Sequence, residues 1–194
     1  MERIDGHIID KSLLTKGGLI LDAGCRGFTL HGSLGDDYEY ICFDPDDTIT
    51  RPDKLNINLH YLAITSHGGD AKYCGWSTGE GNIIYTGNAP NYAEFDKVVA
   101  SITIPVLFAM YGKFDLIKLD IEGSEYDVLL GIDFAPAKQI SCEFHQSLGY
   151  NKYGSHQDYI LLLMSTEFGK HYYIADCYEY PNLPGMYEYL FIAK

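Results

Sequence analysis

The sequence has few basic residues, and they do not cluster anywhere along the chain. Lys and Arg total 14 against 27 Asp and Glu, which gives the 194 residues a net charge of −13. Proteins that bind phosphate backbones use clustered Lys and Arg. The composition therefore argues against a nucleic-acid partner and favours a compact or neutral substrate.

Paired cysteine motifs and long apolar runs are also missing. The five cysteines are Cys25, Cys42, Cys74, Cys142 and Cys177, and no two of them form a CxxC pair. This spacing argues against a disulfide framework and a structural zinc site. The N-terminus, MERIDGHIIDKSLL, has no basic start followed by an apolar run, and no run of about 18 apolar residues follows. We therefore expect a soluble, cytoplasmic protein without a membrane partner.

Short apolar runs and helical patterns alternate along the chain. Hydrophobic residues make up 46% of the sequence, enough for one core, so we expect a single domain over residues 1–194. The predicted strands are 19–21, 40–43, 55–64, 116–121, 139–144, 172–175 and 188–192. The predicted helices are 104–110, 156–168 and one that starts after a capping box at 124–127 and stops at Gly131. This order predicts an α/β fold with a mostly parallel sheet, and a hairpin at 182–185 makes the last strand antiparallel.

One segment breaks this rhythm. Residues 66–92 are rich in Gly, Asn, Ser and Tyr, and they show weak strand character only at 83–85. We interpret them as a loop or hairpin excursion over one edge of the sheet that could face the substrate.

The first predicted strand leads directly into a glycine turn, Asp22-Ala23-Gly24-Cys25-Arg26-Gly27. Glycines there let the backbone approach a ligand closely, although a tight turn alone would look the same. Asp44 follows the second strand about 20 residues later, where a carboxylate can accept hydrogen bonds from ribose hydroxyls. An Asp-Pro turn is the alternative explanation for Asp44. The two features together favour a cofactor that contains a nucleoside.

The details of the turn favour a methyl donor over a dinucleotide. A pyrophosphate needs backbone donors at a glycine-rich helix start, usually GxGxxG. Here the spacing is GxxG, and Arg26 stands where the second glycine would be. S-adenosylmethionine has no phosphate, so it is the favoured cofactor.

Two neighbouring predicted strands carry charges in alternation. Lys118, Asp120 and Glu122 alternate with apolar residues and should share one face of the first strand. Glu143 and His145 share a face of the next. Parallel strands end at the same edge of a sheet, so we expect the four acidic and histidine side chains to converge there. An ion-pair network is the alternative, and for the deeper Lys118 it is the preferred interpretation.

The convergence predicts an acceptor site. One group would act as general base toward a hydroxyl, and the others would bind substrate or metal. His145 with Asp120 and Glu143 could hold a divalent ion, but no ligand spacing in the sequence requires one.

The stretch FDLIKLDIEGSEYDVLLG at 114–131, followed by ISCEFH at 140–145, resembles the signature of the FkbM-type S-adenosylmethionine-dependent methyltransferases. The segments LILDAGCRG, CFDPD and HYLAIT are similar to the upstream parts of that family, so the resemblance covers about residues 19–145. The segment DDTITRPD at 46–53 is too short for the family's helix between the second and third strands.

The resemblance implies a Rossmann-like fold, with helices on both faces of a seven-stranded sheet and an antiparallel last strand. It also implies O-methylation of a hydroxyl on a sugar or small natural product. The implied cofactor-binding residues are Asp22, Ala23, Gly24, Cys25, Gly27, Asp44 and Ala63. The implied acceptor-site residues are Asp120, Glu122, Glu143 and His145.

Two other functions stay open on the sequence alone. A nicotinamide-dependent oxidoreductase could use a similar sheet, and the cofactor that protects the protein against thermal unfolding would distinguish it. A non-catalytic module of the same fold could bind a partner instead. The acceptor and the oligomeric state do not follow from the sequence.

Overall fold

The structure is a computed structural model that describes residues 1–4, 6–75, 83–85, 93–145 and 153–194. Its strands are β1 (Glu2–Ile4), β2 (His7–Ile9), β3 (Leu19–Ala23), β4 (Glu39–Phe43), β5 (Ile57–His60), β6 (Ala63–Ile64), β7 (Gly69–Gly75), β8 (Ile83–Tyr85), β9 (Phe95–Ile102), β10 (Phe114–Leu119), β11 (Ala137–His145), β12 (Tyr172–Glu179) and β13 (Met186–Ala193). Its α-helices are α1 (Thr29–Leu34), α2 (Ile104–Tyr111), α3 (Glu125–Leu130), α4 (His156–Ser165) and α5 (Glu167–His171). None of the helices in these ranges has the length and apolar character needed to cross a membrane.

The main sheet is mostly parallel, as predicted. In the described residues its order is β12-β13-β11-β10-β3-β4-β5. The pairs among β11, β10, β3, β4 and β5 are parallel. Strand β13 is antiparallel to both of its neighbours. The predicted seven-stranded sheet with an antiparallel last strand is therefore confirmed.

The two faces of the main sheet are buried against different layers. On β3, Ile20 packs in one cluster with Ile9 of β2 and Leu30 of α1. The next residue, Leu21, packs on the opposite face with residues of helices α2, α3 and α4. Successive strand residues point to opposite faces, so β3 carries apolar residues toward both layers.

A second sheet corrects the predicted excursion. Strands β6, β9, β7 and β8 form a four-stranded sheet in that order, so the departure from the main sheet begins at Ala63 and extends to Ile102. Strand β8 confirms the weak strand character at 83–85. The remaining residues of the predicted excursion at 76–82 and 86–92 lie outside the described ranges.

Three local predictions were wrong. The run 55–64 splits between the two sheets, because β5 ends at His60 and β6 starts at Ala63. The predicted helix 156–168 is interrupted at Thr166, whose φ of −86° and ψ of −173° are extended. Ser124 makes no side-chain capping bond. The segment between β4 and β5 contains no α-helix, as its length and pattern predicted.

Candidate active site

The carboxyl ends of three parallel strands meet at one edge of the main sheet. Strand β10 lies between β3 and β11, and Lys118 is in register with Asp22 on one side and Ser141 on the other. The pairing continues past the end of β10, because the Asp120 N–H donates to the Ala23 carbonyl at 3.1 Å. The glycine turn and the charged segment are therefore adjacent.

Lys118 forms the buried base of this edge. Its Nζ donates to the Gly24 carbonyl at 2.6 Å, and it lies 3.2 Å from Asp22 Oδ1 and 3.5 Å from Asp120 Oδ2. The Lys118 side chain is 6% exposed and that of Asp22 is 2% exposed. Burial alone would lower the pKa of Lys118, but the Asp22 and Asp120 carboxylates have the larger effect and raise this pKa. Lys118 thus lies in a buried ion-pair network with Asp22 and Asp120, as the preferred interpretation of the sequence predicted.

Asp120, Glu122 and His145 surround one point at the mouth of this edge. His145 Nε2 lies 3.7 Å from Asp120 Oδ1 and 3.6 Å from Glu122 Oε2. One potential ligand atom from each residue lies within 4.8 Å of the other two. Asp120 and Glu122 have side chains 28% and 29% exposed, so the point can be reached from solvent.

Glu122 reaches this point in a different way from the predicted one. Strand β10 ends at Leu119, so strand alternation does not carry Glu122 onto the face of Lys118. Instead, Glu122 has a left-handed backbone with φ of 55°, followed by Gly123 with φ of 101°. Such a conformation is costly for a residue with a Cβ and is concentrated at functional sites.

Glu125 orients His145 and is a residue that the sequence interpretation missed. The Glu125 carboxylate is fully buried and accepts backbone N–H groups from Ile121 and Gly123, both at 2.8 Å. Its Oε1 also lies 3.2 Å from His145 Nδ1. This carboxylate holds the turn and fixes the imidazole ring. Glu125 is the second Glu of the stretch FDLIKLDIEGSEYDVLLG, and this position was the available signal.

His7 and Glu188 complete the cluster from outside the motif region. The His7 side chain is 3% exposed, with Nδ1 3.3 Å from Glu188 Oε1 and Nε2 3.9 Å from Asp120 Oδ2. Glu188 also accepts from the Ile8 N–H at 3.2 Å and the Ser141 hydroxyl at 2.5 Å. The second Glu188 oxygen has no hydrogen-bond partner among the described residues. No sequence pattern marked His7, since it lies in a short hairpin far from the motifs.

Glu143 lies on the His7 side of Asp120. Ligand atoms of His7, Asp120 and Glu143 fall within 4.8 Å of one another. The structure therefore brings all four predicted acceptor-site residues together, but in two groups that share Asp120.

The electrostatics of the cluster differ from residue to residue. Burial alone would raise the pKa of Asp120, but Lys118 and the two histidines keep it below the usual range. Burial raises the pKa of Glu122 to about 7 and also raises that of Glu143. For His145, burial opposes the charged form, yet Glu125, Glu122 and Asp120 raise the pKa to about 10.

The glycine turn is in direct backbone contact with the charged segment. Gly24 has φ of 77°, and a Cβ there would overlap the Asp120 carbonyl oxygen. The Gly24 N–H donates to the Phe43 carbonyl at 2.9 Å, which ties the turn to the end of β4. Gly27 also has a positive φ, of 76°. Glycine at 24 is therefore required by the protein's own packing.

The other predicted cofactor-binding residues lie around this turn. Asp44 is 8% exposed, its Oδ1 accepts the Asp46 N–H at 2.9 Å, and burial raises its pKa to about 6. Ala23, Cys25 and Ala63 are each at most 1% exposed. Asp22 is committed to Lys118, and burial raises its pKa. Among the predicted carboxylates of this group, Asp44 is thus the one with no buried cation paired to it.

Comparisons with known proteins find several similar solved structures. The chain is similar to a fibrillarin pre-rRNA processing protein of Methanococcus jannaschii, with a TM-score of 0.55, 12% identity, and coverage of 97% of this chain and 70% of that one. A TehB-like SAM-dependent methyltransferase from Corynebacterium glutamicum gives a TM-score of 0.44 and 15% identity, and the match covers 94% of this chain and 84% of that one. A putative rRNA-methylase from Clostridium thermocellum gives a TM-score of 0.48 and 10% identity, and the match covers 93% of this chain and 88% of that one. No curated protein matches the chain closely.

A family model decides the assignment. The methyltransferase FkbM domain matches residues 39–172, which is more than half of the chain. The match includes strands β10 and β11 and their charged ends, and it favours methyl transfer over the nicotinamide-dependent alternative. The chain therefore belongs to the FkbM family and is an S-adenosylmethionine-dependent methyltransferase.

Proposed function

We propose that the protein transfers the methyl group of S-adenosylmethionine to a hydroxyl of a sugar or small natural product. The contact between the glycine turn and the acceptor cluster carries this proposal. Lys118 bridges the two, since its Nζ binds the Gly24 carbonyl and lies beside the Asp120 carboxylate. A donor held by the turn and an acceptor held at Asp120 would be neighbours, which methyl transfer requires.

The cofactor would lie along the ends of β3 and β4. Asp44 would accept hydrogen bonds from the ribose hydroxyls, each worth about 1.5–3 kcal/mol because the acceptor is charged. The turn from Ala23 through Cys25 to Gly27 would line the methionine part, with Gly24 giving close backbone approach, and Ala63 would lie near the adenine. Asp22 would act through Lys118, since it is buried against that side chain.

The acceptor hydroxyl would lie beside Asp120, Glu122, Glu143 and His145. In the reaction the hydroxyl oxygen forms a bond to the methyl carbon while the carbon–sulfur bond breaks, and its electron pair stays on sulfur. The hydroxyl proton leaves to an acceptor in the cluster. Alignment of donor and acceptor would supply most of the acceleration, and proton removal would add about 10²–10⁴.

The charge of the protein favours a small or glycan acceptor over RNA. One of the similar structures is a fibrillarin pre-rRNA processing protein. Binding of an RNA backbone depends on clustered Lys and Arg, whereas this chain has a net charge of −13. An acidic surface repels phosphate and leaves neutral hydroxylated molecules as the preferred class.

Methyl transfer to defined acceptors tests the proposal. The protein is incubated with S-adenosylmethionine labelled in its methyl group and a panel of glycans, hydroxylated natural products and rRNA fragments. We expect label in an O-methyl group of one neutral acceptor class, and a large loss of transfer in Asp120→Asn and His145→Ala. Asp47→Asn is the control, because among the described residues its exposed side chain forms an ion pair with the partly exposed Lys97.

Two results would count against the proposal. Equal transfer by the wild type and both site variants would remove the acceptor from this cluster. Labelling of rRNA in preference to every neutral acceptor would replace the proposed substrate class.

A further inference from the structure

We propose that Asp120 Oδ1, Glu122 Oε2 and His145 Nε2 bind one divalent metal ion that holds the acceptor hydroxyl. This inference rests on the proposed function, because it adds an ion to the same acceptor site. Three features of the cluster support it. They are the distances from His145 Nε2 to the two carboxylates, the position of Asp120 Oδ1 on the side away from Lys118, and the fixed orientation of the His145 ring.

The spacing fits a shared ion better than hydrogen bonds. The distances of 3.7 Å and 3.6 Å from His145 Nε2 to the two carboxylates exceed the range of about 2.7–3.2 Å for an N–H···O bond. Two ligands that are each about 2.0–2.2 Å from one ion lie about 3–4 Å apart. His145 is 5% exposed, and within the described residues its Nε2 makes no hydrogen bond. The Nε2 of this nearly buried ring is thus directed at two carboxylates that lie beyond hydrogen-bond distance.

The position of Lys118 selects this group over the other one. Asp120 Oδ2 lies 3.5 Å from the Lys118 ammonium, so a metal on that side, between His7 and Glu143, would be repelled by a fixed cation. Asp120 Oδ1 faces His145 instead. One carboxylate can therefore satisfy Lys118 through one oxygen and a metal through the other.

The surroundings of His145 are those of a metal ligand. A histidine that binds a metal usually donates its other ring N–H to a carboxylate, which fixes its orientation. Glu125 Oε1 lies 3.2 Å from His145 Nδ1, and two backbone N–H groups hold Glu125 in place. The Nε2 lone pair is then presented to Asp120 and Glu122, and the ion replaces the proton on that nitrogen.

The ligand set indicates the class of metal. Two carboxylate oxygens and one imidazole suit Mn²⁺, and also Mg²⁺ with water completing the shell. Three protein ligands leave positions open in an octahedral shell. An acceptor hydroxyl bound there would have its oxygen fixed and its proton made more acidic, which assists both alignment and deprotonation.

Manganese binding tests the site without the methyl donor or an acceptor. The full chain is freed of metal with a chelator, and MnCl₂ is titrated while the electron paramagnetic resonance signal of free Mn²⁺ and the heat of binding are followed. We expect one Mn²⁺ per chain, competition by MgCl₂, and at least about a tenfold loss of affinity in Glu122→Gln and in His145→Gln. Circular dichroism checks that each variant is folded.

Glu143→Gln is the matched control, because Glu143 belongs to the group on the Lys118 side of Asp120. Its manganese affinity should stay within about threefold of the wild type. The absence of saturable binding up to millimolar Mn²⁺ would overturn the proposal, as would unchanged binding in Glu122→Gln. An equal loss in Glu143→Gln would move the ion to the other group and refute the assignment. Since the donor is absent, these results are separate from any failure to methylate.

Discussion

The substitution Lys118→Met removes a buried cation that bridges the glycine turn and the acceptor cluster. Lys118 lies 3.2 Å from Asp22 Oδ1 and 3.5 Å from Asp120 Oδ2, and its side chain is 6% exposed. Methionine fits the volume but leaves two carboxylates and the Gly24 carbonyl without their donor. Breaking a buried ion pair in this way costs about 3–5 kcal/mol, because the remaining charge stays buried.

A loss of this size is easily measured. For a chain of this length, 1 kcal/mol corresponds to about 2–4 °C in Tm, so we expect a decrease of about 6–20 °C in a thermal melt. Urea unfolding should give the same loss in the free energy of unfolding. Adding Asp22→Asn to Lys118→Met should restore part of that loss, because one of the two unpaired carboxylates is then removed.

Lys54→Met is the control for this prediction. Lys54 pairs with Asp36 at 3.0 Å, but their side chains are 47% and 60% exposed, and such surface pairs contribute at most about 1 kcal/mol. Equal effects of the two substitutions, or a loss below about 1 kcal/mol in Lys118→Met, would refute the argument that Lys118 is the structural centre of the site.

Three further predictions follow from single residues. Burial raises the pKa of Asp44 to about 6, so S-adenosylmethionine affinity should fall as the pH drops below about 6, and calorimetry should find no such dependence in Asp44→Asn. Burial lowers the pKa of His156 to about 4. Below pH 6.5 the folded state therefore binds fewer protons at this residue than the unfolded chain does. The free energy of unfolding consequently decreases as the pH falls toward 4. Urea unfolding at pH 7 and pH 5 should show a loss of about 1–2 kcal/mol from this residue that is absent in His156→Phe. Gly24→Ala should cost more than about 2 kcal/mol and weaken cofactor binding, because its Cβ would meet the Asp120 carbonyl, whereas Gly17→Ala, at φ of 74° with open space around it, should cost only about 1 kcal/mol. Equal losses in the two alanine variants would exclude the clash as the cause.

The parts of the fold that depend on local pattern were predictable. Alternating and apolar runs placed the main strands, and the hairpin after residue 180 gave the antiparallel last strand. The edge at which Asp120, Glu122 and His145 meet followed from the rule that parallel strands end together. The place where these three side chains meet could therefore be predicted from FDLIKLDIEG and CEFH.

Other features depend on contacts between distant segments, which no local pattern records. His7 enters the cluster from a hairpin more than 100 residues before Asp120, and Glu188 enters from the last strand. The left-handed turn at Glu122 replaces the expected strand alternation, because Glu125 binds the N–H groups of that turn. The assignment of residues 1–194 to one domain and the roles of the site residues stay predictions.

Calorimetry with S-adenosylmethionine tests the central claim most directly, namely that the cofactor binds at the ends of β3 and β4 through Asp44. We expect one molecule bound per wild-type chain and an affinity about 10- to 100-fold weaker in Asp44→Ala, as the loss of charged hydrogen bonds requires. The absence of binding to the wild type, or equal binding by Asp44→Ala, would contradict the account.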